Sequence, residues 1–175
     1  MQELYQILRQ AILNINECYF QLPIDGGSPV YRERVYCYEL YHQMRLLWPK
    51  DCQFILNGEV DKRAHPLLTN LGAANKIPDL LVHTPGSMAN NYAIIEVKSS
   101  NLEKSGIQKD LQTFEKFLAY VGYQRAIYLI FGWRAEDRIE KIEREARDLE
   151  CKIPIEIWTH SAPNTLPQII YINES

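Results

Sequence analysis

The chain lacks most features that would assign it at a glance. It has no C-x-x-C pair, because Cys18, Cys37, Cys52 and Cys151 stand far apart. A zinc site is therefore not expected, and the thiols read as reduced and mostly buried. Met1-Gln2-Glu3-Leu4 has neither a basic n-region nor an apolar h-region. No apolar run approaches the length of a membrane span. A cytoplasmic protein without membrane contact is the expectation. Basic residues are not in excess: 19 Lys and Arg face 22 Asp and Glu, for a net charge of −3. That removes the overall basic footprint common among nucleic-acid binders. It leaves room for a local site where carboxylates gather around cations. Internal repeats, low-complexity tracts and linker-like stretches are missing too, so one domain over residues 1–175 is expected.

What is present is ordinary globular material. Nearly half the residues are apolar or aromatic and about a quarter are charged. Tyrosine is plentiful at 11 residues, and its apolar ring with a polar tip suits both cores and wet sites.

Periodicity divides the chain into elements. Leu4, Ile7, Leu8, Ala11, Ile12 and Ile15 have helical spacing within residues 2–19. Gln21 to Pro29 is loop-like, and Ser28-Pro29 predicts the start of a second helix that stops at Pro49. Three strands follow, predicted over Cys52–Val60, Ile77–His83 and Tyr92–Ser99, the last two joined by a turn holding Pro85-Gly86 and Asn90-Asn91. Ile107–Val121 predicts a helix, Ala126–Phe131 a buried strand, Ala135–Leu149 an amphipathic helix and Ile153–Trp158 a fifth strand. Ile169–Ile172 adds a short edge strand. Strands one to three suit an antiparallel meander, and the helix before strand four permits a parallel crossover. The expected class is α/β, a mixed sheet flanked by helices.

The chemistry concentrates in two of these strands. Ala93-Ile94-Ile95-Glu96-Val97-Lys98 is apolar enough for the middle of a sheet, yet Glu96 and Lys98 leave the same face. Charges on a buried strand are costly unless paired or bound to an ion. If the preceding turn is symmetric about Ser87–Met88, Asp79 lies opposite Glu96. Two like charges placed so are destabilising. A divalent cation between them is the simplest remedy, and two carboxylates plus waters suit Mg²⁺. Mn²⁺ is an acceptable substitute. Lys98 beside such a metal can orient or help deprotonate a water and steady charge on a phosphate.

Ile77-Pro78-Asp79 followed by Glu96-Val97-Lys98 resembles the PD-(D/E)xK nuclease superfamily, with Pro78-Asp79 as the PD element and Glu96-x-Lys98 as the (D/E)xK element. The resemblance covers roughly residues 30–131. It implies the restriction-endonuclease-like fold and Mg²⁺-dependent hydrolysis of nucleic acid, with DNA the expected polymer. It implies metal binding by Asp79 and Glu96 and a catalytic role for Lys98. Members commonly carry an acid on the helix before the first strand, and Glu39 sits at that place. Lys109, Gln112 and Lys116 stand where many members have polar residues on the following helix. A homodimer fits an enzyme that cuts both strands, although no sequence feature marks an interface.

Plainer readings stand beside these. Asp79 and Lys98 can form a structural ion pair, and Glu39 can be a surface helix carboxylate. Glu59, Asp61 and Lys62 read as a solvated strand end, or as groups bordering the metal site. His65 and His83 are not expected to be ligands. Lys62, Arg63 and Lys76 are scattered basic residues of the sort that solvate a surface. Ser99-Ser100 either meets a phosphate or ends its strand. The whole-protein alternative is a catalytically silent nucleic-acid- or protein-binding module on the same fold.

Overall fold

The computed structural model describes residues 3–59 and 77–173. Of the singled-out residues, Asp61, Lys62, Arg63, His65 and Lys76 lie outside that set. Among the described residues are five α-helices and an open, mixed sheet of six strands. In chain order these are α1 Leu4–Leu13, α2 Glu17–Phe20, α3 Glu33–Leu47, β1 Ile55–Gly58, β2 Leu80–His83 and β3 Asn91–Ser99. Then come α4 Lys104–Val121, β4 Arg125–Phe131, α5 Ile139–Asp148, β5 Ile155–His160 and β6 Gln168–Ile172.

The strands lie in sequence order across the sheet. β1–β2 and β2–β3 are antiparallel, β3–β4 and β4–β5 parallel, and β5–β6 antiparallel. This is the expected meander followed by helical crossovers. The long apolar strands β3, β4 and β5 occupy the interior because both their faces are covered. Ala93, Ile95, Val97, Leu129 and Phe131 pack beneath α1 and α3. Ile94, Tyr128, Ile130 and Ile157 pack against α4 and α5.

Several helix boundaries differ from the sequence expectation: α4 begins three residues earlier, at Lys104, and α5 begins at Ile139 after a 3-10 turn over Ala135–Arg138. The first helix does not continue to residue 19. It ends at Leu13, and Asn16 starts α2 by accepting a hydrogen bond from the Cys18 N–H at 3.1 Å. A side-chain acceptor at that place competes with helix continuation. The next helix does not begin at Ser28-Pro29. Val30 instead exchanges backbone bonds of 2.8 and 3.0 Å with Leu22, which keeps it extended, and α3 begins at Glu33. α4 ends where Gly122 takes the left-handed conformation (φ +78°), which costs glycine nothing. None of the four cysteines is in a disulfide, and Cys37 and Cys151 are buried while Cys18 is exposed. Among the described residues no helix is long and apolar enough to cross a membrane.

Candidate metal centre

The site begins with register. Leu80 pairs Ile95, and the same pairing carried one step outward sets Asp79 opposite Glu96. The turn is therefore symmetric about residues 87 and 88 along this stretch, and a bulge between Val82 and His83 absorbs the irregularity beyond it. Asp79 Oδ2 accepts the Val97 N–H at 2.7 Å, which ties the carboxylate across the strand gap.

Lys98 sits among carboxylates. Its Nζ lies 3.6 Å from Glu96 Oε2, 3.9 Å from Asp79 Oδ2 and 3.6 Å from Asp110 Oδ2. Asp110 comes from α4, on the helix face that also buries Ile107, Leu111 and Phe114. The Tyr128 hydroxyl of β4 donates to Asp110 Oδ2 at 2.9 Å. With all four groups ionised, three carboxylates and one ammonium leave a local charge of 1 − 3 = −2.

The electrostatics follow from burial and crowding. Burial raises the Asp79 carboxyl pKa above the usual range, although Lys98 and the Val97 N–H pull it back. Glu96 is only 6% exposed. Burial, with Asp79 and Asp110 close by, holds its carboxyl well above the ordinary value. Asp110 is raised for the same first reason, against Lys98 and the Tyr128 hydrogen bond. Burial alone would lower Lys98, but Glu96, Asp110 and Asp79 outweigh it and raise the ammonium pKa.

These groups line a polar cavity of about 150 Å³, together with Ile77, Lys109 and Thr113. Among the described residues no three Asp, Glu, His or Cys side chains are disposed as a complete metal-ligand cluster. An ion that keeps several of its waters does not need one, and Mg²⁺ is bound through one or two carboxylates in such sites. The under-neutralised Asp79–Glu96 pair, facing a polar cavity, fits that donor set.

Asp79, Glu96 and Lys98 are thus brought together, and Glu39 is not. Glu39 is half-buried on α3 and accepts from Gln43 Nε2 at 2.7 Å. Its neighbours in the chain, Tyr36, Cys37 and Leu40, form the core-facing side of that helix. The α3 acid that does approach is Glu33, the first residue of that helix. Its Oε1 accepts from the Ser99 N–H at 3.1 Å and the Ser99 hydroxyl at 3.2 Å, and its charge acts on Asp79 and Lys98. Of the polar residues on α4, Lys109 lines the cavity, whereas Gln112 and Lys116 border a separate groove. His83 joins Asn57 through Nε2 and Oδ1 at 3.0 Å, at the β1–β2 pairing.

Sequence reasoning missed Asp110. The available signal was an acid inside an apolar stripe, three residues after Ile107 and four before Phe114. Compared with protein-family models, curated proteins and solved structures, the chain gives no significant match.

Proposed function

We propose that this chain is a Mg²⁺-dependent phosphodiester hydrolase that acts on DNA. The observation that carries the proposal is that Asp79, one residue before β2, extends the β2–β3 register to lie opposite Glu96, with Lys98 on the same face of β3, around a polar cavity. The succession α3-β1-β2-β3-α4-β4 agrees with the core implied by the PD-(D/E)xK resemblance, and supports reading the sheet as restriction-endonuclease-like.

Asp79 and Glu96 would hold the cation, with Mn²⁺ able to replace Mg²⁺. When bound, the cation supplies a more acidic water and offsets charge on the phosphate oxygens. Lys98 is held as an ammonium by three carboxylates, so it acts as a donor toward the attacking water and the phosphate. Asp110 positions Lys98 and is itself held by Tyr128. Lys109 at the cavity rim adds positive charge where a phosphate would arrive.

The test is metal-dependent cutting of plasmid and of labelled single-stranded DNA and RNA, for wild type beside Lys98→Ala. Mg²⁺- or Mn²⁺-dependent cutting of DNA, lost in the variant, is the expected result. A second reading, a catalytically silent binding module, is favoured by one observation: Lys98 already partly neutralises the carboxylates. Absence of both cutting and a calorimetric signal for Mg²⁺ binding would select it.

A further inference from the structure

On the other side of the sheet from Lys98 lies a second cavity, of about 430 Å³, between α3 and the end of β1. Its size is within the range of small-ligand pockets. Asp79 borders both this groove and the polar cavity, so anything seated here abuts the acidic centre. Tyr38 and Tyr41, three residues apart on α3, provide aromatic walls. Tyr38 is 59% exposed, so packing of the core does not require it.

Two backbone features also point to a ligand. Gly58 stands in strand β1, where glycine weakens pairing and often marks a close approach. A Cβ built there would lie 3.7 Å from the Asp79 carbonyl oxygen, 3.7 Å from Leu80 Cδ2 and 3.9 Å from Tyr41 Cδ2, so a methyl group would fit in ordinary contact at the groove wall. Glu59, at the groove's end, is a non-glycine residue in the left-handed region (φ +40°). Such positions are uncommon and concentrate at functional sites. Glu59 is held there by backbone donation to the Asp79 carbonyl at 3.0 Å and by Arg34 at 3.4 Å.

We infer that this groove is a nucleobase pocket, which takes an unpaired base of the strand whose phosphate lies at Asp79 and Glu96. The inference rests on the nuclease reading and narrows its substrate to DNA that is single-stranded next to the cut bond. Tyrosine faces stack any base. The Glu59 carboxylate at the groove's end disfavours a phosphate there, so the base enters and the phosphate stays at the metal centre. A paired base cannot reach the groove without leaving its stack.

Binding and cutting are measured separately. Fluorescence anisotropy with a short labelled single-stranded DNA, in Ca²⁺, compares wild type with Tyr38→Ala, Tyr38→Phe and Gly58→Ala. Tyr38→Ala is expected to weaken binding about tenfold, while Tyr38→Phe retains it, because stacking needs the ring and not the hydroxyl. Gly58→Ala, which adds a methyl group without a steric clash, is expected to weaken binding as well. The matching blunt duplex should bind less tightly and be indifferent to Tyr38→Ala. Equal single-strand affinity in wild type and Tyr38→Ala, or no single-strand binding by wild type, overturns the pocket. Mg²⁺-dependent cutting alongside either outcome leaves the nuclease reading intact. Tyr38-dependent binding without any cutting sustains the pocket and removes the nuclease.

Discussion

Two buried ionic clusters occupy this sheet, and they are built on opposite principles. On β4 and β5, Arg125 meets Glu156 in a two-pronged pair of 2.6 and 2.8 Å. The Trp158 indole donates to Glu156 Oε2 at 3.2 Å, and the Tyr92 hydroxyl accepts from Arg125 at 3.4 Å. One charge meets one charge, with short bonds on both oxygens. Just before β2, on β3 and on α4, three carboxylates share one lysine at 3.6 to 3.9 Å beside a cavity. The first cluster is electrically complete and serves the fold. The second sets three acids against one base, a mismatch that a structural ion pair does not need. Charge balance and bond length together separate a brace from a site.

The largest expected effect breaks the second cluster. Asp79→Asn or Glu96→Gln should reduce cutting on the order of a thousandfold or more, because each removes a charge that would hold the cation. The melting temperature should stay level or rise, since a buried like-charge repulsion is relieved. Plasmid cleavage and a thermal melt of the same sample check both halves. A variant that melts early would return Asp79 and Glu96 to the structural class.

Breaking the brace should do the reverse. Arg125→Ala leaves Glu156 buried without its partner and should destabilise the fold by about 3–5 kcal/mol in urea unfolding. Cutting per folded molecule should be unchanged. The double change Arg125→Met with Glu156→Leu should recover most of the loss, less what the unpaired Trp158 N–H costs.

A third buried polar group sharpens the contrast through pH. His160 is fully buried at the end of β5, where the Tyr36 hydroxyl meets Nδ1 at 2.9 Å and the Phe20 ring packs edge-on. Tyr36 on α3 is the titratable side chain seen to pack against it, and Nε2 is buried without a hydrogen-bond partner. Burial lowers the imidazole pKa from 6.5 to about 4. The unfolded chain therefore takes up this proton first as pH falls. Stability from His160 is complete above pH 6.5 and is lost as pH falls through about 4, a change of about 3 kcal/mol. The raised carboxylates of the acidic centre act in the opposite direction. The test is thus a difference: unfolding free energy against pH should fall more steeply on the acid side for wild type than for His160→Gln.

The smallest effect is stabilisation by the cation. At tenfold excess over its dissociation constant, Mg²⁺ should add about 1.4 kcal/mol to folding stability. The Asp79→Asn/Glu96→Gln double variant should show none of it, as measured by melts with and without Mg²⁺.

Much of this architecture was legible before any coordinates. Alternation placed Glu96 and Lys98 on one face, but the eight residues between the two predicted strands set Asp79 across from Glu96 only if their turn is symmetric. The element order followed from periodicity. The start of α3 did not, because the Leu22–Val30 bridge that delays it joins residues eight apart through backbone alone. Glu39 looked correct from its place in the chain, but position along a helix does not say which side faces the sheet until the helix is docked.

The amino-acid sequence by itself determined the order of the strands and the placing of Glu96 and Lys98 on one face, because these depend on apolar periodicity and a two-residue repeat. Tertiary structure decided which further groups reach that centre. Asp110 and Tyr128 arrive from α4 and β4, and Glu33 from α3, each set by how a helix or strand packs on the sheet. The electrostatic field falls off over a few ångströms, so those packing distances, and not chain separation, determine the charge on the site.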